Sequence, residues 1–158
     1  KTLICSELAN VLEKHRNKKI MLIAHSMGSI IAYDVLTQAA SDAAIDTFVT
    51  IGSPLGLPII KSRIVAERKK YCPSRGALRT PENIRSHWYN LSDLRDKIAI
   101  NYMLGDDYQE NAGHISPVDK IVTNDYVFGD QKNPHKSYGY LRTAEMAEII
   151  SEFLNDTH

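Results

Sequence analysis

The sequence predicts an α/β layer architecture built on a mostly parallel sheet, and three observations predict it. Segments with helical periodicity alternate with short aliphatic or β-branched runs, the order of a chain whose strands are joined by crossover helices. The run Ile20-Met21-Leu22-Ile23-Ala24 is continuously apolar between polar flanks, as in a strand buried on both faces. Met146, Ile149, Ile150 and Phe153 recur at i, i+3, i+4 and i+7, which gives the C-terminal segment one apolar helical face.

The first helix carries Ile4, Leu8, Val11, Leu12 and His15 on one face, with Ser6 as its N-cap and Asn17 as its stop. Lys18 and Lys19 lead into the Ile20–Ala24 strand, and a second helix is expected from about Gly28 to Ala40, with Ile30, Ile31, Val35 and Leu36 apolar. Thr47 to Ile51 reads as a second strand closed by Gly52-Ser53-Pro54. Arg85 to Asn90 is a third candidate strand, and Tyr126-Val127-Phe128 before Gly129 a fourth. The last helix runs from about Thr143 to Leu154.

Two connections, Pro54 to Asn83 and Asn101 to Asn124, are long enough to require small helices or 3₁₀ turns. Residues 61–79 hold seven Lys and Arg against Glu67, while residues 105–130 hold six Asp and Glu against Lys120. Two solvated faces are the simpler reading of that segregation. Leu55, Leu57, Ile59, Ile60, Ile64 and Val65 also give residues 54–83 an apolar side, so this segment is a candidate small cap whose cationic side would favour an anionic membrane surface.

A chain of 158 residues has room for one domain, and 43% hydrophobic with 24% charged residues is globular composition. Nineteen Lys and Arg balance nineteen Asp and Glu, so no charge excess calls for nucleic acid. Cys5 and Cys72 fit neither a disulfide scaffold nor a zinc motif and are expected to be free thiols. No metal or cofactor is expected: Asp106-Asp107-x-x-Glu110 lacks calcium-loop spacing, and Gly52 to Gly56 is no phosphate loop. No apolar run approaches membrane-spanning length and no signal peptide opens the chain, so a cytoplasmic location is expected. The first residue is Lys1, so the N-terminus of the polypeptide is expected to lie further upstream.

The chemistry is concentrated in Ile23-Ala24-His25-Ser26-Met27-Gly28, which has the form strand, Ala-x-Ser-x-Gly, helix. A serine on so sharp a turn sits in strained backbone, which demands tiny residues two positions before and after it, here Ala24 and Gly28. The turn lifts the Ser26 hydroxyl clear of the sheet at a helix N-terminus, where free N–H groups favour negative charge.

With this motif in this setting, residues 2 to 154 resemble the α/β-hydrolase family, of the lipase or esterase kind, with Ala24 in place of the family's usual first glycine. The resemblance implies a three-layer sandwich and the chain order Ser, acid, His. The acid should follow the strand two beyond the nucleophile; Asp96 is preferred there, with Asp93 as its rival. The base should lie between the last strand and the last helix, which selects His135 over His114. His87 lies in a predicted strand, His15 and His158 at chain ends, and His25 is read as pointing away from the nucleophile, a residue that packs or that supports the site from behind. The resemblance also implies an oxyanion hole of the Met27 N–H and a second N–H from a loop upstream of Lys1.

The nucleophile strand is normally the family's fifth, so residues 1–158 are expected to be a single domain lacking about four N-terminal strands, with Ile20–Ala24 as an open edge. The implied activity is cleavage of a small-molecule or lipid carboxylic ester through an acyl-enzyme. Acyl transfer or thioester hydrolysis by the same triad is the near alternative, and a non-catalytic interaction module the distant one. The oligomeric state is not legible.

Overall fold

A computed structural model describes residues 2–38, 43–71 and 77–156. Its elements are α1 (Thr2–Lys14), β1 (Met21–His25), α2 (Met27–Gln38), β2 (Ile45–Ile51), α3 (Pro58–Tyr71), β3 (Ile84–Ser92) and β4 (Pro117–Ile121), then the short β5 (Val127–Phe128) and β6 (Gln131–Lys132), and α4 (Ser137–Leu141) and α5 (Ala144–Asn155). Strands β1 to β4 form one parallel sheet in that order, with Ile23 beside Val49, Val49 beside Tyr89, and Tyr89 beside Val118.

Alternation along the strands sends side chains to two cores, which makes the fold a three-layer α/β sandwich as expected. On one face Phe48 and Trp88 pack with Leu12 of α1, Ile30 and Tyr33 of α2, and Ile64 of α3. On the other, Val49, Ile51, Tyr89 and Leu91 pack with Tyr140 of α4 and with Met146 and Ile149 of α5. Thr143 caps α5, its hydroxyl oxygen accepting the Met146 N–H at 3.3 Å. Pro58 opens α3, where its missing N–H costs nothing.

Several elements differ from the sequence expectation. Helix α1 starts at Thr2, so Ser6 lies inside it and not at its N-terminus. Its packed stripe is Cys5, Leu8, Ala9 and Leu12, while Ile4 and Val11 are exposed. Met21 to Ile23 of β1 are only half-buried, because β1 is an edge of the sheet and the fully lined central position belongs to β2. The Tyr126–Phe128 segment is not a sheet strand: Val127 and Phe128 pair antiparallel with Lys132 and Gln131 in an exposed hairpin. The fourth sheet strand is instead β4, inside the 101–124 connection. The expected end of the second helix at Ala40, and Cys72, lie outside the described residues; Cys5 is a free thiol.

The two oppositely charged connections meet each other. Lys61 on α3 pairs with Asp107 at 2.7 Å, and Thr80 N–H donates to the Gln109 carbonyl at 2.9 Å. Among the described residues no helix is long and apolar enough to cross a membrane.

Candidate active site

The site is built where β1 turns into α2. Ser26 has φ +54°, the left-handed region that ordinary residues rarely adopt, and its N–H donates to the Ile51 carbonyl at 3.1 Å across the turn. A chain of buried hydroxyls braces the turn from behind: Ser29 Oγ donates to the Ser26 carbonyl at 2.6 Å and lies 2.7 Å from Ser53 Oγ, which accepts the Leu55 N–H at 3.2 Å. Ala24 is buried, in keeping with the demand for a small residue. Gly28 is not so constrained, because a Cβ there would meet nothing within 4 Å outside its own helix and chain neighbours.

Ser26 Oγ lies 2.9 Å from Nε2 of His135, and Nδ1 of the same ring lies 2.8 Å from Oδ2 and 3.0 Å from Oδ1 of Asp96. The chain thus brings together the serine, the histidine of the β6–α4 loop and the aspartate of the loop after β3. With Nδ1–H donating to the carboxylate, Nε2 is left as the acceptor for the serine O–H.

The Asp96 side chain is wholly buried, and every approach to it is a donor. Besides His135, Ile98 N–H donates to Oδ1 at 2.9 Å and the Tyr140 hydroxyl to Oδ2 at 2.7 Å. Tyr140 O in turn accepts the Asp93 N–H at 3.1 Å. Burial, together with the adjoining Asp96 carboxylate, holds the Tyr140 phenol well above the usual range, so it remains a donor. Gly52, at φ +53°, closes the pocket: a Cβ there would stand 2.8 Å from Asp96 Oδ2 and 3.2 Å from His135 Nδ1. Tyr140 and the requirement for Gly52 were invisible as site features in the sequence; a glycine directly after a buried strand is the one signal that was present.

Asp93 does not face the imidazole. It accepts the Arg95 N–H at 2.8 Å, the Arg95 guanidinium at 2.5 and 2.9 Å, and the Asn124 N–H at 2.6 Å. Burial works to raise its carboxyl, but the Arg95 and Asn124 hydrogen bonds and the Arg95 charge outweigh it and hold the group below the usual carboxylate range.

His25 also departs from expectation. It does not point away from the site: its Nε2 donates to the His135 carbonyl at 2.7 Å, and the two rings are 4.7 Å apart. His114 is exposed and bonded to Glu110 at 2.9 Å, while His87 stacks on Tyr89. His15 is in the turn after α1, and His158 lies outside the described residues. Met27, whose side chain is exposed, is the first residue of α2, where backbone N–H groups have no acceptor within the helix. Among the described residues no group of three or more His, Cys, Asp or Glu is arranged to hold a metal ion.

A serine on a strand-to-helix elbow, with histidine and aspartate delivered from later loops at the same end of a parallel sheet, defines the α/β-hydrolase class. Residues 5–68, a stretch that contains Ser26, match the model of the PGAP1-like alpha/beta domain, a family of the α/β-hydrolase superfamily. The superfamily resemblance drawn from the elbow is thereby borne out, and it points to a hydrolase-type function. Asp96 and His135 lie beyond the matched stretch. No curated protein and no solved structure matches the chain.

Proposed function

We propose that the protein is a serine hydrolase that cleaves carboxylic esters. The observation that carries this reading is the unbroken hydrogen-bonded line from Ser26 Oγ through His135 to the wholly buried Asp96. Ser26 Oγ attacks the ester carbonyl carbon while His135 Nε2 takes its proton. Asp96 keeps Nδ1 protonated and stabilises the imidazolium that forms. The Met27 N–H, at the positive end of α2, meets the oxygen on which charge develops. His135 then returns the proton to the leaving alcohol, and water activated by the same imidazole hydrolyses the acyl-enzyme. A second oxyanion donor is proposed to come from polypeptide lying along the outer edge of β1, which has no strand partner among the described residues. The segment proposed as a small cap begins at Pro54, two residues after Gly52, which lies beside Asp96 and His135; that closeness supports its placement near the site.

A fluorophosphonate probe tests the reading directly. The expected result is stoichiometric labelling of Ser26 that disappears in Ser26→Ala. A folded, full-length chain that takes up no probe would return the elbow to a purely structural part in an interaction module.

A further inference from the structure

We propose that His25 and Asn124 are positioning residues that hold the loop of the base by three successive carbonyls, an inference that rests on the triad reading above. The loop Asn133-Pro134-His135-Lys136 joins an exposed two-strand hairpin to the short helix α4, so its own secondary structure gives it little support. Its carbonyls are nevertheless all engaged. The Asn124 carboxamide Nδ2 donates to the Pro134 carbonyl at 2.7 Å and to the Lys136 carbonyl at 2.8 Å, one on each side of His135. His25 donates to the carbonyl between them at 2.7 Å.

Asn124 is itself anchored at every polar group. Its Oδ1 accepts the Tyr126 N–H at 3.1 Å, its N–H donates to Asp93 at 2.6 Å, and its carbonyl accepts from Arg95 at 3.0 Å. Helix α4 makes room for this carboxamide by carrying Gly139, where a Cβ would stand 1.6 Å from Asn124 Oδ1. Asp93 and Arg95 therefore serve the base at one remove.

His25 acts from the opposite side. It immediately precedes Ser26, so its bond ties the backbone of the nucleophile to the backbone of the base. That bond requires the proton on Nε2 and so fixes the His25 tautomer. Burial holds the ring below the usual histidine range, which keeps a second positive charge from competing with the imidazolium of His135. Both residues bond to backbone carbonyls and not to the side-chain polar atoms of Ser26, His135 or Asp96, so each acts by placing the ring. A displacement of about 1 Å at such a ring is worth roughly 10²-fold in rate.

The test compares variants of the full chain. Asn124→Ala and His25→Ala are expected to slow fluorophosphonate labelling of Ser26 by about 10- to 100-fold. Turnover of a p-nitrophenyl ester should fall in kcat with KM nearly unchanged. His25→Gln, whose carboxamide still offers a donor to the carbonyl, should recover most of the rate. The low-field proton resonance of His135 Nδ1–H should be lost in the two alanine variants and restored in His25→Gln. His25 is only half-buried, so its variants carry the test even where Asn124→Ala melts too early to assay. Wild-type labelling rates in His25→Ala would overturn the inference, and so would His25→Gln proving as slow as His25→Ala. A wild-type chain that takes no probe sinks the hydrolase reading alone, and the His135 resonance then still decides whether the ring is held.

Discussion

Two clusters of the same residue types occur among the described residues, and they differ in how far the carboxylate is shut off from water. Beside the elbow, His135 meets Asp96 at 2.8 Å, and Tyr140 donates to that carboxylate at 2.7 Å. On the face covered by α5, His87 lies 3.8 Å from Glu152, and Tyr89 donates to that carboxylate at 2.8 Å. Histidine, carboxylate and tyrosine are present in both. The difference is solvent: the Asp96 side chain is 0% exposed and that of Glu152 is 49% exposed. Water screens the second pair and competes for its groups, whereas the first has only protein donors. Tyr89 illustrates the milder setting, its phenol raised to about 12 by partial burial and then by Glu152, against a larger rise at Tyr140.

The largest test of this contrast exchanges each carboxylate for its amide. Asp96→Asn should lower kcat by about 10⁴, the size of the effect for the corresponding change in a serine protease, because the amide favours the wrong tautomer. Glu152→Gln should leave ester turnover within about twofold. Comparable losses in steady-state assays would erase the distinction.

Next in size is Gly52→Ala, which forces a Cβ into contact with Asp96 Oδ2 in a backbone of φ +53°. It should cost about 1–3 kcal/mol by thermal melting and on the order of 10²-fold in kcat. A neutral outcome in both measurements would mean that the pocket around Asp96 is looser than its distances imply.

A smaller pair sharpens the same point. Tyr140→Phe leaves Asp96 short of one donor and the Asp93 N–H without its acceptor. A loss of about 1–3 kcal/mol and roughly tenfold in kcat is expected. Tyr89→Phe, at the wetter cluster, should cost no more than about 1 kcal/mol and nothing in turnover. Parallel melts and ester assays of the two variants would show whether burial is what separates them.

The smallest expected effect is a pH dependence at Asp93. Its carboxyl is depressed in the folded state, so the unfolded chain binds that proton more tightly. The stabilisation is therefore complete above the unfolded value of about 3.9 and fades as pH falls through the lower folded value. The melting temperatures of wild type and Asp93→Asn should differ near neutrality and converge below about pH 3. A constant gap across that range would show that Asp93 acts through shape alone.

What could be read in the sequence was whatever leaves a local mark. Ser26 is legible because an elbow needs a strand, a tight turn and a helix in immediate succession. Chain order singled out His135, which does lie against Ser26, from His114, which pairs with Glu110. Pattern preferred Asp96 but kept Asp93 as its rival, since both are buried residues of the same loop and differ only in what they face. Strand β4 went unread because it opens on Pro117 and carries Asp119 and Lys120 in its middle, as edge strands do. Asp119 is also occupied in accepting the Leu104 and Gly105 N–H groups, so its chemistry looked like that of a loop. Tyr140 and Asn124 left no mark at all: their partners lie beyond any local pattern, 44 residues away at Asp96 and 10 and 12 residues away at Pro134 and Lys136.

The separation between Ser26 and His135 has a consequence for how the chain comes into being. The two residues meet across 109 positions, and Asp96 reaches the base across the last 39 of them. During synthesis the elbow emerges and can fold with α1, α2 and β2 well before the histidine loop exists. On the triad reading proposed above, such an intermediate should present a serine of ordinary alcohol reactivity. On that reading reactivity waits until α4 and α5 close the second face of the sheet, and the acquisition of probe labelling by a growing or refolding chain should time its last long-range contacts.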